Sequence, residues 1–203
     1  EIPSVYRSHP EFGKIKLEGS PESVELIQKR TENSRTFLNP DGSFTTTQSS
    51  GRMHYKDASS NWVSIDVTPA NNLRTAGEFG IINSDLPITV NKQSGQARMI
   101  LEQDAGLEFI TSRLNVINSK GEEVSVIAKG SQNEGQTSGN EIQFRNYWPQ
   151  IDRVQVVEAD RFKTNYVINS SPQASNENDF LVFSEVIKVP AGWQIRKSTS
   201  GQE

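Results

Sequence analysis

Histidine is the residue type most often used for proton transfer and metal binding near neutral pH, and this chain of 203 residues contains two, His9 and His54. No His-x-His or His-x-x-x-His spacing occurs and there is no cysteine, so a zinc site would depend on carboxylates. His54 stands between Met53 and Tyr55 in an alternating pattern, which predicts that its side chain points to the opposite face of a strand. We expect both histidines to be solvated or held by structural contacts.

Sequence patterns of nucleophilic and phosphate-binding sites are missing from the chain. It has no Gly-x-Ser-x-Gly, no Gly-x-Gly-x-x-Gly and no Walker loop. With 25 acidic residues, some pair of carboxylates will have glycosidase spacing by chance. Glu108, Asp152 and Glu158 lie in or beside predicted strands, but nothing marks one of them as an acid with a raised pKa. We therefore predict that the protein is not an enzyme, with a glycosidase as the less favoured alternative.

Oxygen-bearing side chains cluster around two predicted turns. They are Asp41, Asp57, Asn61 and Asp66, and Ca²⁺ prefers such clustered oxygens. The twelve-residue Asp-rich calcium loop is absent, however, and turns favour Asp and Asn for backbone reasons alone. We expect no metal and no other cofactor, and we keep Asp41, Asp57 and Asp66 as weak calcium candidates.

Aromatic residues offer a second kind of binding site, because an exposed ring can stack against a sugar. Trp62 and Trp193 lie within strand patterns, which predicts that they belong to the core. Tyr147 and Trp148 precede Pro149 and a predicted strand, a position typical of an exposed corner. They are the candidate ligand-binding residues of this sequence, and they make a carbohydrate-binding module the alternative function.

The overall charge argues against nucleic acid as a partner. The formal net charge is -4 and the isoelectric point about 5.4, and the Lys and Arg residues are scattered instead of forming a basic patch. No apolar run approaches the roughly 18 residues that a membrane span needs. We predict neither a nucleic-acid site nor a membrane span.

Short apolar and Thr-rich runs separated by turn residues extend from Thr31 to the end of the chain. The most specific signal is Asn39-Pro40-Asp41-Gly42 between two Thr/Phe-rich runs, which predicts a hairpin turn with a positive φ at Gly42. This pattern predicts an all-β fold. We expect a large antiparallel β-sandwich of many short strands with at most one short helix, and leave open a division into two packed sub-sandwiches.

The predicted organisation has three parts. Residues 1–30 form an N-terminal arm, residues 31–197 the sandwich-type domain, and residues 198–203 a linker-like tail. Within the arm, residues 21–30 fit a helix and a strand equally well. The polar stretch 129–140 has no large apolar side chain and is predicted to be an exposed loop.

Several segments together resemble a known group of bacterial proteins. These segments are Lys29–Phe44, Met53–Asp57, Asn61–Asp66, Asn146–Asp152, Lys163–Ile168 and Val189–Trp193. They are similar to the N-terminal β region of large secreted and cell-surface proteins of the YD-repeat (Rhs-type) and DNRLRE-domain kinds. The resemblance covers roughly residues 29 to 196, and it departs from the family pattern at Thr164-Asn165, where an acidic residue often follows the lysine.

The resemblance implies a place in a larger exported protein from which the signal peptide has been removed. It implies a secreted or cell-surface location, ahead of a long repetitive, effector or adhesin portion. It carries over no catalytic residue. The expected function is a non-catalytic structural or interaction module that presents, caps or anchors the rest of the chain. Its expected partners are proteins of the cell envelope or the remainder of its own chain, with a glycan as the alternative.

Overall fold

The computed structural model describes residues 17–18, 23–72, 75–101, 105–129, 134–170, 176 and 178–196, without the side chains at 17, 18, 111 and 112. Across these residues the regular elements are seventeen β-strands and one single-turn 3-10 helix, Ile27–Lys29. The prediction of an all-β fold with many short strands and at most one short helix is confirmed. In these ranges no helix has the length and apolar character needed to cross a bilayer.

The chain divides into two compact units, which we describe separately. The first contains the described residues up to Asp66 together with Asn83–Asp85, and the second contains Val67–Ile82 and the described residues from Leu86 onward. This division falls inside the predicted domain of residues 31–197. The predicted tail at 198–203 lies outside the described residues, as does most of the predicted arm.

The first unit contains a four-stranded antiparallel sheet. In spatial order its strands are β1 (Leu17–Glu18), β2 (Val24–Leu26), β3 (Ser34–Leu38) and β4 (Phe44–Gln48). The sequence of residues 21–30 fits a helix and a strand equally well. The structure contains both, because the three-residue strand β2 leads directly into the 3-10 turn Ile27–Lys29. All three side chains of β2 are buried, so this segment of the predicted arm belongs to the core of the first unit.

The hairpin turn predicted from the sequence connects β3 to β4 through residues 39–43. The N–H of Asn39 donates to the Ser43 carbonyl at 2.9 Å, and the N–H of Gly42 donates to the Asn39 carbonyl at 3.0 Å. The Asp41 carboxylate accepts the N–H of Ser43 at 2.9 Å. Gly42 has a φ of +83°, a left-handed conformation that glycine adopts without a clash of a Cβ atom.

Replacing Gly42 by valine tests this turn. No atom lies within 4 Å of the position that an added Cβ would take, so the cost comes from the backbone alone. We expect the free energy of unfolding to fall by about 1 kcal/mol or more in urea denaturation, because a β-branched residue tolerates a positive φ poorly. Thr47→Val, on the exposed strand β4, is the matched control and should change stability by less than about 0.5 kcal/mol. An unchanged midpoint for Gly42→Val would show that the turn has another conformation.

Two further strands of the first unit form a separate hairpin, β5 (His54–Lys56) and β6 (Trp62–Ser64). Asp57 organises its turn, since one carboxylate oxygen accepts the N–H groups of Ser59 and Asn61, each at 2.9 Å. After β6 the chain makes an isolated bridge in which the N–H of Asp66 donates to the Asn83 carbonyl at 2.8 Å. The segment 83–85 is thereby attached to the first unit.

The second unit contains two antiparallel sheets. The large sheet consists of β7 (Ala70–Asn71), β8 (Glu78–Ile81), β9 (Ile88–Asn91), β10 (Ala97–Ile100), β11 (Gly106–Ile117), β12 (Glu123–Ile127) and β17 (Phe180–Lys188). The small sheet consists of β13 (Gln136–Ser138), β14 (Glu141–Trp148), β15 (Ile151–Val157) and β16 (Phe162–Ile168). Strands β7 to β11 pair in sequence order, as do β13 to β16.

Strand β11 connects the parts of the large sheet. Residues 106–109 pair with β10, residues 114–117 pair with β12, and residues 108–117 pair with β17. Because a strand has two edges, β10 and β12 share one edge and β17 takes the other. The register with β17 shifts between Phe109 and Thr111, so β11 is irregular near the first residue of β10, Ala97, which pairs with Phe109.

Side chains from both sheets of the second unit pack into one hydrophobic core. The large sheet contributes Phe79, Ile81, Ile88, Val90, Ala97 and Leu114, and the small sheet contributes Ile142, Phe144, Tyr147, Trp148, Ile151 and Val157. Two antiparallel sheets that bury their facing sides against each other form a β-sandwich. The predicted architecture is therefore present in the second unit.

The polar stretch 129–140, predicted to be a loop, contains strand β13. Its three residues pair with β14, and Gly139 in the connecting turn has a φ of +57°. All three side chains of β13 are exposed, so no apolar residue was needed to place the strand at the edge of the small sheet. Sequence periodicity gives no signal for such a strand.

Candidate binding groove

Tyr147 and Trp148, the predicted ligand-binding residues, lie in the core of the second unit. They are only 3% and 1% exposed. The Trp148 ring packs against the rings of Tyr166 and Phe183, with centroids 5.3 and 5.8 Å apart. The prediction of an exposed sugar-stacking pair is therefore wrong, because neither ring is open to a ligand from solvent.

The other two tryptophans are more exposed than their strand patterns suggested. Trp193, predicted to be a core residue, is 55% exposed, and Ile195 beside it is 66% exposed. Both follow the last strand and lie in a segment outside the sheets, after a turn in which the N–H of Trp193 donates to the Pro190 carbonyl at 3.0 Å. Trp62 is half-buried, with the Lys56 ammonium 5.0 Å from its ring centroid. The core prediction is wrong for Trp193, since its segment has no facing sheet.

The buried hydroxyl of Tyr147 belongs to a polar network. It donates to the Ser94 carbonyl at 3.1 Å and accepts a hydrogen bond from the Lys129 ammonium at 2.8 Å. Buried tyrosines usually find such partners, because an unsatisfied hydroxyl is costly in a core. The hydroxyl therefore has a structural role.

Arg153 and Gln155 extend this network between the two sheets. Arg153 is 2% exposed, and its two terminal nitrogens donate to the Gly95 carbonyl at 3.1 Å and to Glu185 at 2.9 Å. Gln155 donates to the same Gly95 carbonyl at 2.8 Å, and the Tyr166 hydroxyl donates to Glu185 at 2.9 Å. These contacts bind β15 to the β9–β10 turn and to β17, so they hold the sandwich together.

The carboxylates considered for a glycosidase have partners within the fold. Asp152 accepts the N–H of Asn146 at 2.6 Å. A hydrogen bond from Lys163, and a second from Arg161, hold the pKa of Glu158 below its ordinary value of 4.5. A general acid needs the opposite shift, so Glu158 does not fit that role.

Two of the weak calcium candidates, Asp41 and Asp57, accept hydrogen bonds within their own turns. Hydrogen bonds from the hydroxyl and the N–H of Ser43 lower the pKa of Asp41, and Asp57 accepts two N–H groups of its turn. Within the described ranges, no group of three or more His, Cys, Asp or Glu residues is placed to hold a metal ion. Asp41, Asp57 and Asp66 are therefore not brought together as ligands.

His54 is the buried histidine of the first unit, while His9 lies outside the described residues. His54 is 0% exposed, and its Nδ1 lies 2.7 Å from the Thr31 carbonyl oxygen. A carbonyl only accepts, so Nδ1 carries the proton and donates. The buried Nε2 has no hydrogen-bond partner among the described residues. Burial lowers the pKa of His54 below 6.5. The hydrogen bond to the Thr31 carbonyl acts to raise this pKa, whereas the positive charges of Arg30 and Arg35 lower it.

A buried ion pair lies in the same unit. Arg30 holds the Glu25 carboxylate through two parallel hydrogen bonds, Nε to Oε1 at 2.8 Å and Nη2 to Oε2 at 3.0 Å. Burial by itself would raise the pKa of Glu25, but the hydrogen bonds and charge of Arg30, with the charge of Arg35, hold it below 4.5. Glu25 is therefore a structural anion and not a proton donor.

The state of His54 predicts how stability depends on pH. Because its folded pKa lies below its unfolded value of about 6.5, folding favours the neutral ring, and stability is lost as pH falls from 6.5 through the folded pKa. One proton limits the slope to about 1.4 kcal/mol per pH unit. Urea midpoints measured between pH 7.5 and 5.5 should fall for the native chain and stay flatter for His54→Gln. Equal slopes for the two proteins would show that folding does not lower the pKa of His54.

The outer face of the large sheet, opposite the core, forms an open groove of about 870 Å³. Strands β8 and β9 direct Phe79, Ile81, Ile88 and Val90 into the core. Successive side chains of a strand point to opposite faces, so the residues between them face outward. We call the resulting site the outer groove.

A row of register partners crosses the floor of the outer groove at right angles to the strands. From β7 to β11 its members are Ala70, Gly80, Thr89, Arg98 and Glu108, and the row continues to Lys188 on β17. The first three are small, so the floor is open on β7 to β9. Charged side chains follow, and the Lys188 ammonium lies 3.5 Å from the Glu108 carboxylate.

The two sides of the outer groove differ in polarity. The polar side carries Asn72, Glu78, Asn91 and Gln96, and the apolar side carries Ile82, Pro87 and Ile100. Backbone hydrogen bonds and one register pair connect the neighbours on the polar side, and the N–H of Ile100 donates to the Pro87 carbonyl on the apolar side. The amides of the polar side also hydrogen-bond within the fold, since Asn72 donates to Glu78 at 3.2 Å and Gln96 donates to the Ile110 carbonyl at 2.6 Å.

Gly80 lines the floor of the outer groove, where it is buried, although the fold does not require glycine there. Its φ is not positive, and an added Cβ would meet the Asn72 Cβ at 3.6 Å and the Ile82 Cγ2 at 3.7 Å, which are ordinary contacts. At Gly135, by contrast, a Cβ would lie 2.7 Å from the Phe144 ring. Glycine inside a strand costs about 0.5–1 kcal/mol relative to alanine, so its presence at 80 is consistent with a need for open space.

A second glycine positions the charged end of the row. A Cβ on Gly106 would collide with the guanidinium nitrogen of Arg98, so Arg98 lies across β11 in the space that a side chain would fill. The Arg98 side chain therefore lies over Gly106, two residues before its register partner Glu108.

The outer groove was not predicted from the sequence, although one signal pointed to it. Gly80 interrupts the strand pattern Glu78–Ile81, and an isolated glycine in a strand indicates a bulge or a close approach by another molecule.

Comparison with protein-family models, with curated proteins and with solved structures found no match to this chain. The site is therefore argued from the residues of the chain itself.

Proposed function

We propose that this chain is a non-catalytic interaction module of a larger exported bacterial protein, and that it binds a partner through the outer groove. The observation that carries the proposal is the groove floor at Gly80, where an added Cβ would meet Asn72 and Ile82 at ordinary contact distances. The groove volume of about 870 Å³ falls in the range of ligand-binding sites in proteins.

The polar side chains of the protein support binding over catalysis. Buried groups that catalysis often uses, such as Glu25 and Arg153, are held in ion pairs with structural partners. In the outer groove the polar groups are mainly neutral amides and hydroxyls, which recognise ligands but are poor acids and bases.

The setting of the module rests on its resemblance to the N-terminal β region of YD-repeat and DNRLRE-domain proteins over residues 29 to 196. We propose on this basis a secreted or cell-surface location and an adhesin-like parent chain. The partner would be a protein of the cell envelope or another part of the parent chain, which the module presents, caps or anchors.

Filling the groove tests the proposed function. The native chain is screened on arrays of short random peptides and of glycans, and each hit is measured again with Gly80→Val and with Thr89→Ile. We expect both substitutions to weaken binding at least about tenfold, because they occupy the floor without disturbing the core. Val126→Leu, on the exposed strand β12, is the control and should leave binding unchanged.

The melting temperatures of the variants are measured first, and we expect Gly80→Val to melt no lower than the native chain. If no hit depends on position 80 or 89 while the variants remain folded, the outer groove is not the binding site.

Fractionation of the source cells tests the proposed location. An antibody against the module should detect the parent protein in the envelope fraction or in the medium, with a cytoplasmic enzyme and a known envelope protein as markers. Recovery with the cytoplasmic marker alone would contradict export.

A further inference from the structure

We infer that a second copy of this chain pairs with strand β17, so that the large sheets of two molecules join edge to edge into one antiparallel sheet. This inference goes beyond the proposed function, because the surface it uses is an edge of the sheet and not the outer groove. It follows from the unpaired edge of β17, from the regular and apolar character of the strand, and from its fit to an antiparallel copy of itself.

One edge of β17 is open. The other edge pairs with β11 along Phe180–Lys188, and no further pairing of β17 occurs among the described residues. Alternate residues of a strand direct their N–H and C=O groups to the same edge, so about half of the nine residues present both groups to the open side. An unpaired row of backbone groups of this length is a template to which another strand can add.

The features that usually protect an edge strand are missing from β17. It contains no proline, and its register with β11 shifts at an extra residue of β11, so β17 itself has no bulge. Its one acidic side chain, Glu185, is bound within the sandwich by Arg153 and Tyr166, each at 2.9 Å. The strand therefore offers a regular edge to a partner.

Two other edge strands of the second unit are less suited to pairing. Strand β12 has five residues, and Val124 is an extra residue that forms a bulge against β11. Strand β16 is regular, but the residues between its core-facing side chains are mainly polar, namely Lys163, Asn165 and Val167. These differences single out β17 as the edge for a partner.

The face of β17 that points away from the core is apolar and exposed. Leu181 and Phe183 pack against the core, so Phe180, Val182 and Val186 point to the opposite face. Phe180 is 60% exposed and Val186 is 55% exposed. A second copy alongside β17 would bury part of this apolar surface in addition to pairing the backbone.

The strand is complementary to an antiparallel copy of itself. Two identical antiparallel strands related by a two-fold axis place one residue opposite its own copy. With Ser184 on the axis, all nine residues of β17 pair, and Val182 lies opposite Val186 at two places. An axis at Glu185 would instead place two carboxylates opposite each other, which is unfavourable.

The two ends of β17 also match in this arrangement. Lys188 of each copy lies opposite Phe180 of the other, where its aliphatic stem and ammonium can cover the exposed ring. Asp179, next to Phe180, adds a carboxylate near the same ammonium. In the single chain the Lys188 side chain is 65% exposed and its ammonium is 3.5 Å from Glu108, an exposed pair that contributes little. This match of charge and shape favours a second copy as the partner over an unrelated strand.

The oligomeric state of the full chain tests the inference. An edge-to-edge contact is at the small end of specific interfaces, so we expect a dissociation constant in the micromolar range, measured by sedimentation velocity between about 1 and 500 µM. Val186→Lys should weaken dimerisation at least about tenfold, because a charge on an edge strand opposes pairing. Val124→Lys, the same change on the exposed strand β12, is the matched control and should leave the monomer–dimer equilibrium unchanged.

Cysteine cross-linking tests the register, since the chain has no cysteine of its own. Opposed residues of antiparallel strands have Cα atoms about 4.5 or 5.5 Å apart, a separation that a disulfide spans. Under mild oxidation we expect Ser184→Cys to form a disulfide-linked dimer. Val182→Cys and Val186→Cys should each cross-link poorly alone and efficiently when mixed. Val126→Cys, on β12, is the control for random collisions.

Three results would overturn the inference. One is a native chain that stays monomeric over the whole concentration range while Ser184→Cys gives no more dimer than Val126→Cys. Another is a dimer that Val186→Lys leaves unchanged, which would place the contact on a different surface. The third is a dimer that is lost with Gly80→Val, which would assign the contact to the outer groove. Since Gly80 is not on β17, we expect this variant to dimerise like the native chain, so the inference and the proposed function succeed or fail independently.

Discussion

The carbonyl oxygen of Gly95 accepts hydrogen bonds from two buried side chains of the small sheet, Arg153 and Gln155. A buried guanidinium is costly unless it is hydrogen-bonded, so the contact of the β9–β10 turn with β15 stabilises the sandwich together with the Glu185 ion pair. Gly95 permits this approach, since its φ is +65° and an added Cβ would be 2.8 Å from the Arg153 Nη1. The same turn fixes β9 and β10, whose outer faces line the groove. A polar contact inside the sandwich thereby positions the site on its outside.

Strand β15 is a case in which the sequence pattern does not predict which face of the strand is buried. Its buried positions are Ile151, Arg153, Gln155 and Val157, whereas Val154 and Val156 lie on the less buried face. Hydrophobic alternation taken alone predicts the opposite orientation of the strand, with the two valines facing the core. The observed choice depends on partners far away in sequence, Gly95 and Glu185, which no local pattern contains. Burial of the two valines is given up for hydrogen bonds that connect the two sheets.

The fold class and the β3–β4 hairpin were predictable because their signals are local. Strand alternation and the demand of Gly42 for a positive φ are both contained within a few residues. The aromatic residues were misplaced for the opposite reason, since burial of Trp148 and exposure of Trp193 depend on which segment has a facing sheet. The outer groove combines residues from five strands in register, so it exists only once the whole sheet is assembled. Only the isolated Gly80 gave a sign of it in the sequence.

The way β17 joins the large sheet has a mechanical consequence. Nine residues of β11 pair with β17, and the other edge of β11 is held by β10 and β12. Hydrogen bonds between antiparallel strands lie perpendicular to the strand axis. Tension on the chain beyond Lys188 that runs along this axis therefore loads all of those bonds together, in shear. Tension across the sheet would instead separate them one after another, as a zipper opens. The resistance of the second unit to force thus depends on the direction of the pull.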